Sequence, residues 1–357
     1  MSKPSILTLA IAVIIGGGVP TALLSAGSVR AADEIPLKVI SQPIVIDGTA
    51  KDAPVANVDG DTYIGLRYLN EQLGLDTAWD PDKQIVTVNG RGRTLQMDLK
   101  EEMYVFNQQR IYGLPAILQD GSTYVPLRLL LERMGYGISY DAASQRIGIE
   151  TIKENELTFG TTTIAKVDSS ITVNYPQLNG FANKAIQQKI NDFLKKEVEA
   201  NVAAAAKELS DALKDQSEIK ADNPDLMVSP VSYEGNYTVS YNEQGKLSLY
   251  MDYYLYTGGA HGMDLRTPYT FDLATGDLLT LQDVAGNKPD YVSIINDSIQ
   301  KQIAMERVPL LETFKTIEPD RHFFLKHNEV VIYFEPYEYT AYADGMPEFE
   351  IPFSAFK

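Results

Sequence analysis

Apolar and polar residues follow two clear periodicities in the second half of the chain. Over residues 246–256 apolar side chains alternate with polar and aromatic ones, which predicts a strand of an antiparallel sheet with one packed face and one half-solvated face. Over residues 179–213 apolar side chains recur mostly every four positions, which predicts a long helix. This stripe favours a helix packed on its own sheet over a helix lying on a membrane. The polar residues 217–225 predict a connection to further strands.

Further apolar segments complete the prediction for the C-terminal half. A second helix is predicted over residues 291–306, and closing strands over residues 330–334 and 349–353. Together these elements predict an α+β domain over residues 153–357, with an antiparallel sheet and a long helix.

The N-terminal half contains an internal duplication. Residues 59–69, DGDTYIGLRYL, reappear as residues 120–130, DGSTYVPLRLL, and the offset of 61 continues without a gap through Gly74 and Gly135. Each copy predicts a turn, a short strand that enters a helix, a glycine in a left-handed helix cap, and a final strand. Residues 33–152 therefore form a duplicated small α/β module.

The first 32 residues have the three parts of a secretory signal. Lys3 precedes an apolar run over residues 6–24, and small residues follow it up to Ala32. An uncleaved membrane anchor is the alternative, but three consecutive glycines and Pro20 favour cleavage. The mature chain is predicted to be secreted or associated with the cell wall, with no stable membrane span.

Composition narrows the possible chemistry. The chain of 357 residues carries a net charge of -17, which argues against nucleic acid and favours basic partners. There is no cysteine, which excludes disulfides, thiolate metal sites and a cysteine nucleophile. Of the three histidines, His322 and His327 lack the spacing of a metal site. We therefore predict no catalytic residue, no metal and no cofactor.

The repeated DGSTYVPLR sequence, followed by Met134-Gly135-Tyr136, resembles the copper amine oxidase N-terminal-like domain, also called a stalk domain. The resemblance covers about residues 37–152 and implies a non-catalytic spacer, attachment or oligomerisation module. Residues 33–152 contain no histidine, so an imidazole copper site in this module is excluded. We expect Arg67 and Arg128 to pair with a turn carboxylate or carbonyl rather than with a ligand.

The sequence YTGGAHG after a tyrosine-rich strand, then TFDLATGD, FEPYE and FEIP, resembles the RsiV-type extracytoplasmic domain over about residues 157–357. This domain also accompanies some secreted deacetylases. In membrane-bound anti-sigma factors of this group it binds lysozyme, so the resemblance implies a lysozyme-binding function. The sigma-binding segment and the deacetylase catalytic domain have no counterpart in this sequence, so only the ligand-binding part of that function carries over.

Two groups of residues are predicted to form a binding surface, because tyrosines provide large contact areas and carboxylates can meet Arg or Lys of a partner. The predicted binding residues are Tyr250, Tyr254, Tyr256, Gly258, Gly259, His261, Glu335, Tyr337 and Glu338. The alternative is that the tyrosines pack beneath the long helix and that the acids are ordinary surface. A catalytic base at His261 and a glycosidase pair at Glu335 and Glu338 are disfavoured, since no accompanying catalytic pattern is present.

The predicted function is that of an exported, non-enzymatic envelope protein. The C-terminal domain binds a basic protein such as lysozyme, and the N-terminal module serves as a spacer or wall attachment. The alternatives are a structural protein that binds peptidoglycan or another cell-wall glycan, and a remnant of an anti-sigma-factor-like sensor.

Overall fold

A computed structural model describes residues 36–58, 60–141, 144–166 and 170–357. The predicted signal sequence, residues 1–32, lies outside the described residues. Residues Leu37–Lys357 form one compact unit of mixed α and β structure. Among the described residues, no helix has the length and apolar character needed to cross a membrane.

The N-terminal half contains two sheets and two short helices. In chain order its elements are β1 (Ile40–Ile46), β2 (Thr49–Val58), β3 (Asp61–Gly65), α1 (Leu66–Leu73), β4 (Asp76–Asp80), β5 (Ile85–Gly90), β6 (Arg93–Asp98), β7 (Met103–Phe106), β8 (Gln109–Ile111), β9 (Ile117–Gln119), β10 (Ser122–Pro126), α2 (Leu127–Arg133), β11 (Tyr136–Asp141) and β12 (Arg146–Thr151). The sheets have the orders β11-β12-β1-β2-β3-β10-β9 and β4-β5-β6-β7-β8.

The two copies of the repeat meet within the seven-stranded sheet, next to its edge strand β9. β3 pairs antiparallel with β10, and Ile64 lies opposite Val125, its own equivalent at the offset of 61. The predicted strand-helix-glycine-strand order is observed in both copies. Gly74 ends α1 with φ 65°, and Gly135 follows α2 with φ 84°. Both glycines adopt the left-handed backbone that side chains with a Cβ disfavour.

The C-terminal half contains a five-stranded sheet, a three-stranded sheet and the long helix. Its elements are β13 (Thr158–Ala165), β14 (Ile171–Asn179), α3 (Lys184–Asp222), β15 (Ser232–Glu243), β16 (Lys246–Tyr256), β17 (Met263–Asp272), α4 (Leu281–Val284), α5 (Tyr291–Glu306), β18 (Phe323–Lys326), β19 (Glu329–Tyr333) and β20 (Glu348–Pro352), with 3-10 turns at Tyr342–Asp344 and Phe353–Phe356. The strands follow the orders β13-β14-β15-β16-β17 and β18-β19-β20. The predicted α+β class, with antiparallel sheets and a long helix, is confirmed.

The long helix differs from its prediction at both ends. It begins at Lys184 because Asn179 still pairs with Thr158 in the sheet, and Asn183 caps the helix by accepting the Ile186 N–H at 3.3 Å. It continues to Asp222, through most of the polar stretch predicted as a connection, because neither glycine nor proline interrupts residues 181–223. As predicted, α3 packs on its own sheet, and its buried side chains share one core with β14, β15 and β16.

The second face of β16 is covered more than predicted. Leu249 and Met251 face α3 and are fully buried. On the opposite face, Ser248 is also fully buried, since its hydroxyl accepts the Leu325 N–H at 3.0 Å from the three-stranded sheet. The prediction of a half-solvated face is therefore wrong for the first part of this strand. The three-stranded sheet excludes water there.

Buried polar contacts join the two halves of the compact unit. Glu154 binds Arg93 at 2.5 Å and Arg91 at 3.0 Å, and the side chains of all three are mostly buried. Burial alone would raise the pKa of Glu154, but the hydrogen bonds and charges of Arg93 and Arg91 lower it below its ordinary value. Gln109 accepts the Tyr237 N–H at 2.9 Å, which places the β7–β8 hairpin against β15.

Candidate functional site

The structure brings several predicted binding residues together at one end of β16. Tyr254, Tyr256, Gly258, Gly259 and His261 lie at the end of the strand and in the following turn. The segment after β19 carries three more, Glu335, Tyr337 and Glu338, and the Tyr337 hydroxyl lies 3.1 Å from His261 Nε2. These two distant parts of the sequence therefore form one surface.

The hydrogen bonds of His261 determine its tautomer. Its Nδ1 lies 2.7 Å from the Gly262 carbonyl oxygen, which can only accept. Nδ1 therefore carries the proton of the neutral ring, and Nε2 accepts the Tyr337 O–H. This arrangement orients the imidazole for contact, and its hydrogen-bond partners among the described residues are the Gly262 carbonyl and the Tyr337 hydroxyl.

Two residues of this surface were missed by sequence reasoning. Tyr342 stacks on the His261 ring with the centroids 4.1 Å apart, and its hydroxyl donates to Asp264 Oδ2 at 2.6 Å. Burial, and then the hydrogen bond to Asp264, raise the pKa of Tyr342. No periodicity marks Tyr342, because it lies in an irregular segment that approaches His261 only in the fold. We name Tyr254, His261, Asp264, Tyr337 and Tyr342 the His261 cluster.

The turn between β16 and β17 depends on glycine. Gly258 and Gly259 have φ of 112° and 99°, and the Tyr256 hydroxyl closes the turn by donating to the Gly259 carbonyl at 3.0 Å. The Gly262 N–H donates to the Tyr254 hydroxyl at 3.0 Å. Tyr254 and Tyr256 therefore shape the turn that presents His261.

A buried ion pair fixes the conformation of the Tyr337 loop. Both carboxylate oxygens of Glu338 bind Arg321, at 2.5 and 2.6 Å, and one of them also accepts the Glu335 N–H at 2.9 Å. Tyr337, between the two glutamates, has φ 67° and a relative exposure of 51%. A non-glycine residue in this left-handed conformation costs about 1 kcal/mol, which the surrounding contacts must offset. Glu338 thus positions Tyr337, and its own charge is already paired.

Glu335 is also less suited to bind a cation than the sequence predicts. Burial raises its pKa to about 7, with a further increase from the charge of Glu338, against the opposing effects of Tyr333 and Arg321. A large fraction of this carboxyl is therefore protonated at neutral pH.

Tyr250 has different contacts from Tyr254 and Tyr256, although all three lie on the same face of β16. The Arg266 guanidinium lies over its ring, 4.1 Å from the centroid, and the ring packs on Phe324 at 4.8 Å. Arg266 is itself held by Asp252 at 2.7 Å and by Glu348 at 2.7 Å. Tyr250 therefore packs beneath the three-stranded sheet, not beneath the long helix.

A cleft lined by both acidic and basic side chains adjoins the His261 cluster. Its charged residues are Glu234, Asp252 and Asp264, with Arg110, Arg133 and Arg266. It has a volume of about 750 Å³ and is lined by Tyr254, Asp264, Glu234, Asn236 and Leu265, with further residues of the N-terminal half on its far side. Glu234 is exposed and forms no ion pair with another described residue. Residues 153–357 hold 18 Lys and Arg against 31 Asp and Glu, a net charge of -13. The C-terminal half, which contributes one wall of the cleft, therefore carries most of the negative charge of the chain.

The remaining candidate sites are the possible metal ligands and the two arginines of the repeat. Among the described residues, no group of three or more His, Asp or Glu side chains is placed to hold a metal. His327 instead bridges Glu243 at 2.9 Å and Glu150 at 3.4 Å. The sequence predicted that both arginines of the repeat pair with a turn, and this prediction is wrong. Arg128 binds Glu132 on its own helix at 2.8 Å, and Arg67 has no ion-pair partner among the described residues. Both project outwards from their short helices.

Family models match three regions of the chain. The model for the copper amine oxidase N-terminal domain matches residues 45–149, the model for Deacetylase PdaC matches residues 165–264, and the model for a protein of unknown function, DUF3298, matches residues 282–354. Both resemblances predicted from the sequence are confirmed. The duplicated module carries the first match, and the C-terminal half carries the other two.

The chain is also similar to individual proteins. The chain is 27% identical over 213 residues to Anti-sigma-V factor RsiV of Bacillus subtilis, an alignment that covers 52% of this chain and 64% of that relative. A DUF3298 structure from Bacteroides fragilis aligns with 57% of this chain and 93% of its own, at 18% identity and a TM-score of 0.45. A second, from Pseudomonas aeruginosa, aligns with 56% of this chain and 91% of its own, at 18% identity and a TM-score of 0.38.

Proposed function

We propose that this protein is an exported, non-enzymatic protein of the cell envelope that binds a basic protein such as lysozyme. The binding surface is the His261 cluster together with the carboxylates of Glu234 and Asp264 in the cleft beside it. In this proposal residues 33–152 serve as a spacer or wall-attachment module. The similarity to an anti-sigma factor, and the lysozyme-binding function implied by the RsiV-type resemblance, support the choice of partner.

The observation that carries the proposal is the fixed, exposed Tyr337. Its loop is strained, yet the Glu338–Arg321 ion pair and the His261 hydrogen bond hold it in place. An aromatic side chain held ready before binding loses little conformational entropy on contact, which is typical of residues that dominate binding energy.

Charge supports a basic partner. The net charge of -13 in residues 153–357 would attract a basic protein over several ångströms and speed its encounter. Glu234 and Asp264 provide carboxylates at the cleft, where they can meet Arg or Lys of the partner. This contribution should weaken as salt screens the charges.

Titration calorimetry of residues 33–357 with lysozyme, near 0.15 M salt, tests the proposal. We expect saturable binding that Tyr337→Ala weakens by at least about ten-fold, as loss of a central aromatic contact does. Tyr140→Ala is the matched control, because Tyr140 is similarly exposed, at 57%, in the N-terminal half. The affinity of the Tyr140→Ala variant for lysozyme should equal that of the wild type.

Two results would contradict the proposal. One is the absence of binding at tens of micromolar lysozyme. The other is equal affinity of Tyr337→Ala and the wild type, which would place the contact elsewhere on the molecule.

A further inference from the structure

Two surface grooves of the N-terminal half are built from equivalent residues of the two repeats. The first, of about 430 Å³, is lined by the start of α1, by β4 and by the turn before β10. The second, of about 530 Å³, is lined by the start of α2, by β11 and by the turn before β3. Residues related by the offset of 61 line the two grooves, with one member of each pair in each groove. The pairs are Leu66/Leu127, Arg67/Arg128, Thr77/Ile138, Ala78/Ser139, Trp79/Tyr140, Val86/Ile147, Asn57/Leu118, Gly60/Gly121, Asp61/Ser122 and Thr62/Thr123.

This correspondence means that each groove uses the helix of one copy and the turn of the other. An aromatic side chain and an arginine occupy the same places in both. Trp79 has a relative exposure of 47% and Tyr140 of 57%. Both copies of the repeat therefore expose a large aromatic side chain to solvent at this position. Exposed aromatic side chains at the wall of a groove are typical of binding sites.

The first groove has the chemistry of a binding site for an anion. Arg67 is exposed and has no ion-pair partner among the described residues, and no Asp or Glu lines this groove although the chain carries a charge of -17. Asn70, at the groove wall, donates to Thr77 Oγ1, and its Oδ1 is buried without a hydrogen-bond partner among the described residues. The groove therefore offers a cation and hydrogen-bonding groups beside an open aromatic face.

The second groove lacks these features. Arg128 is paired with Glu132 at 2.8 Å, and Asp61 adds a negative charge to the lining. Leu131 and Ile138 stand where the first groove has Asn70 and Thr77. The second groove is therefore a natural internal control for the first.

We propose that the first groove binds a carboxylated glycan, with one sugar ring on Trp79 and its carboxylate on Arg67. The C–H bonds of a sugar ring carry a small positive charge and pack on the electron-rich face of an indole. A guanidinium binds a carboxylate through two parallel hydrogen bonds. The hydroxyl and amide groups of a sugar match Thr77 and the hydroxyl side chains of Ser122 and Thr123 on the facing turn.

An acidic peptide would satisfy Arg67 but would not use the hydrogen-bonding wall and the open indole together. We therefore commit to the glycan and leave the peptide as an outcome of the test. The proposal concerns the N-terminal half alone. Its result does not depend on whether residues 153–357 bind lysozyme.

Trp79 is the only tryptophan of the chain, so its fluorescence reports on this groove directly. Residues 33–357 are titrated with an oligogalacturonate as the carboxylated glycan and with a chito-oligosaccharide as a neutral one. Polyglycerol phosphate, which has anions but no sugar ring, and polyglutamate, an acidic peptide, complete the set. We expect a saturable change in Trp79 emission with the oligogalacturonate, and at least about ten-fold weaker binding of the other three.

Substitutions of Arg67 and Arg128 show which of the two grooves binds the oligogalacturonate. Arg67→Ala should weaken oligogalacturonate binding at least about ten-fold, Arg67→Lys should weaken it less, and Arg128→Ala should leave it within about two-fold of the wild type. Because both arginines are exposed, circular dichroism should show unchanged folding.

Several results would overturn the proposal. These are no saturable change with the oligogalacturonate, equal binding of the neutral glycan, of polyglutamate or of polyglycerol phosphate, and equal effects of Arg67→Ala and Arg128→Ala.

Discussion

Gly74 and Gly135 occupy the same position in the two repeats, yet their surroundings differ. Both have a left-handed backbone, with φ of 65° and 84°. A Cβ added at Gly74 would meet nothing within 4 Å. A Cβ added at Gly135 would lie 2.7 Å from Arg93 Nη1, 2.9 Å from Arg91 Nε and 3.1 Å from Glu154 Oε2. Substitution of alanine at the two sites therefore separates backbone strain from disruption of the contact between the two halves.

The expected magnitudes follow from these surroundings. Gly74→Ala should lower the free energy of unfolding by about 1 kcal/mol, the cost of a left-handed alanine. Gly135→Ala bears the same cost and must also displace two arginines that are mostly buried and bound to Glu154. Disturbing such a pair costs a further ~1–2 kcal/mol, less than the 3–5 kcal/mol of removing one partner outright. We expect a total loss of about 2–3 kcal/mol.

Urea denaturation of residues 33–357, followed by circular dichroism, measures both variants. The same pair of substitutions in a Glu154→Gln background is the control, because the difference between the two glycines should shrink once the ion pair is weakened. Equal destabilisation by Gly74→Ala and Gly135→Ala would refute the reasoning. So would a difference that persists unchanged in the Glu154→Gln background.

Two further predictions concern pH. Glu335 has a pKa raised to about 7 by burial, so between pH 4.5 and 7 the folded chain holds a proton that the unfolded chain has lost, and folding stability falls as pH rises through that window. Glu335→Gln should therefore be more stable than the wild type by about 1–2 kcal/mol at pH 8, after discounting for solvent screening, and equally stable near pH 4.5. Urea denaturation at both pH values measures this difference. An equal effect of the substitution at both pH values would contradict the prediction. The pKa of His327 is raised, first by its hydrogen bond to Glu243, so its contribution is complete below pH ~6.5 and is lost as pH rises through the folded pKa. His327→Gln should lower the melting temperature at pH 6 and leave it unchanged at pH 9, whereas a pH-independent loss would assign His327 a packing role only.

The regular parts of the fold could be predicted because their periodicities are local. The repeat at an offset of 61, the alternation over residues 246–256 and the four-residue stripe of α3 each lie within one segment. The helix ends were less accurate. A cap at Asn183 competes with other polar residues nearby, and the polar end of α3 stays helical without burying apolar side chains.

The candidate site was predicted only in part, because its decisive contacts join distant segments. His261 and Tyr337 were singled out separately, and their hydrogen bond appears only in the fold. The pairing of Glu338 with Arg321 turns a predicted surface acid into a positioning residue. Tyr342 gave no signal at all, since an irregular segment has no periodicity to read. The grooves of the repeat depend likewise on one copy meeting the turn of the other.

Hydrogen–deuterium exchange of residues 33–357, with and without saturating lysozyme, tests the proposed binding surface most directly. We predict slower exchange in the segments 257–265 and 335–346, which contain the His261 cluster, and unchanged exchange in the repeat helices at residues 66–73 and 127–133. Protection confined to other segments, or no protection at any concentration of lysozyme that the assay reaches, would contradict the proposal that this surface binds a basic protein.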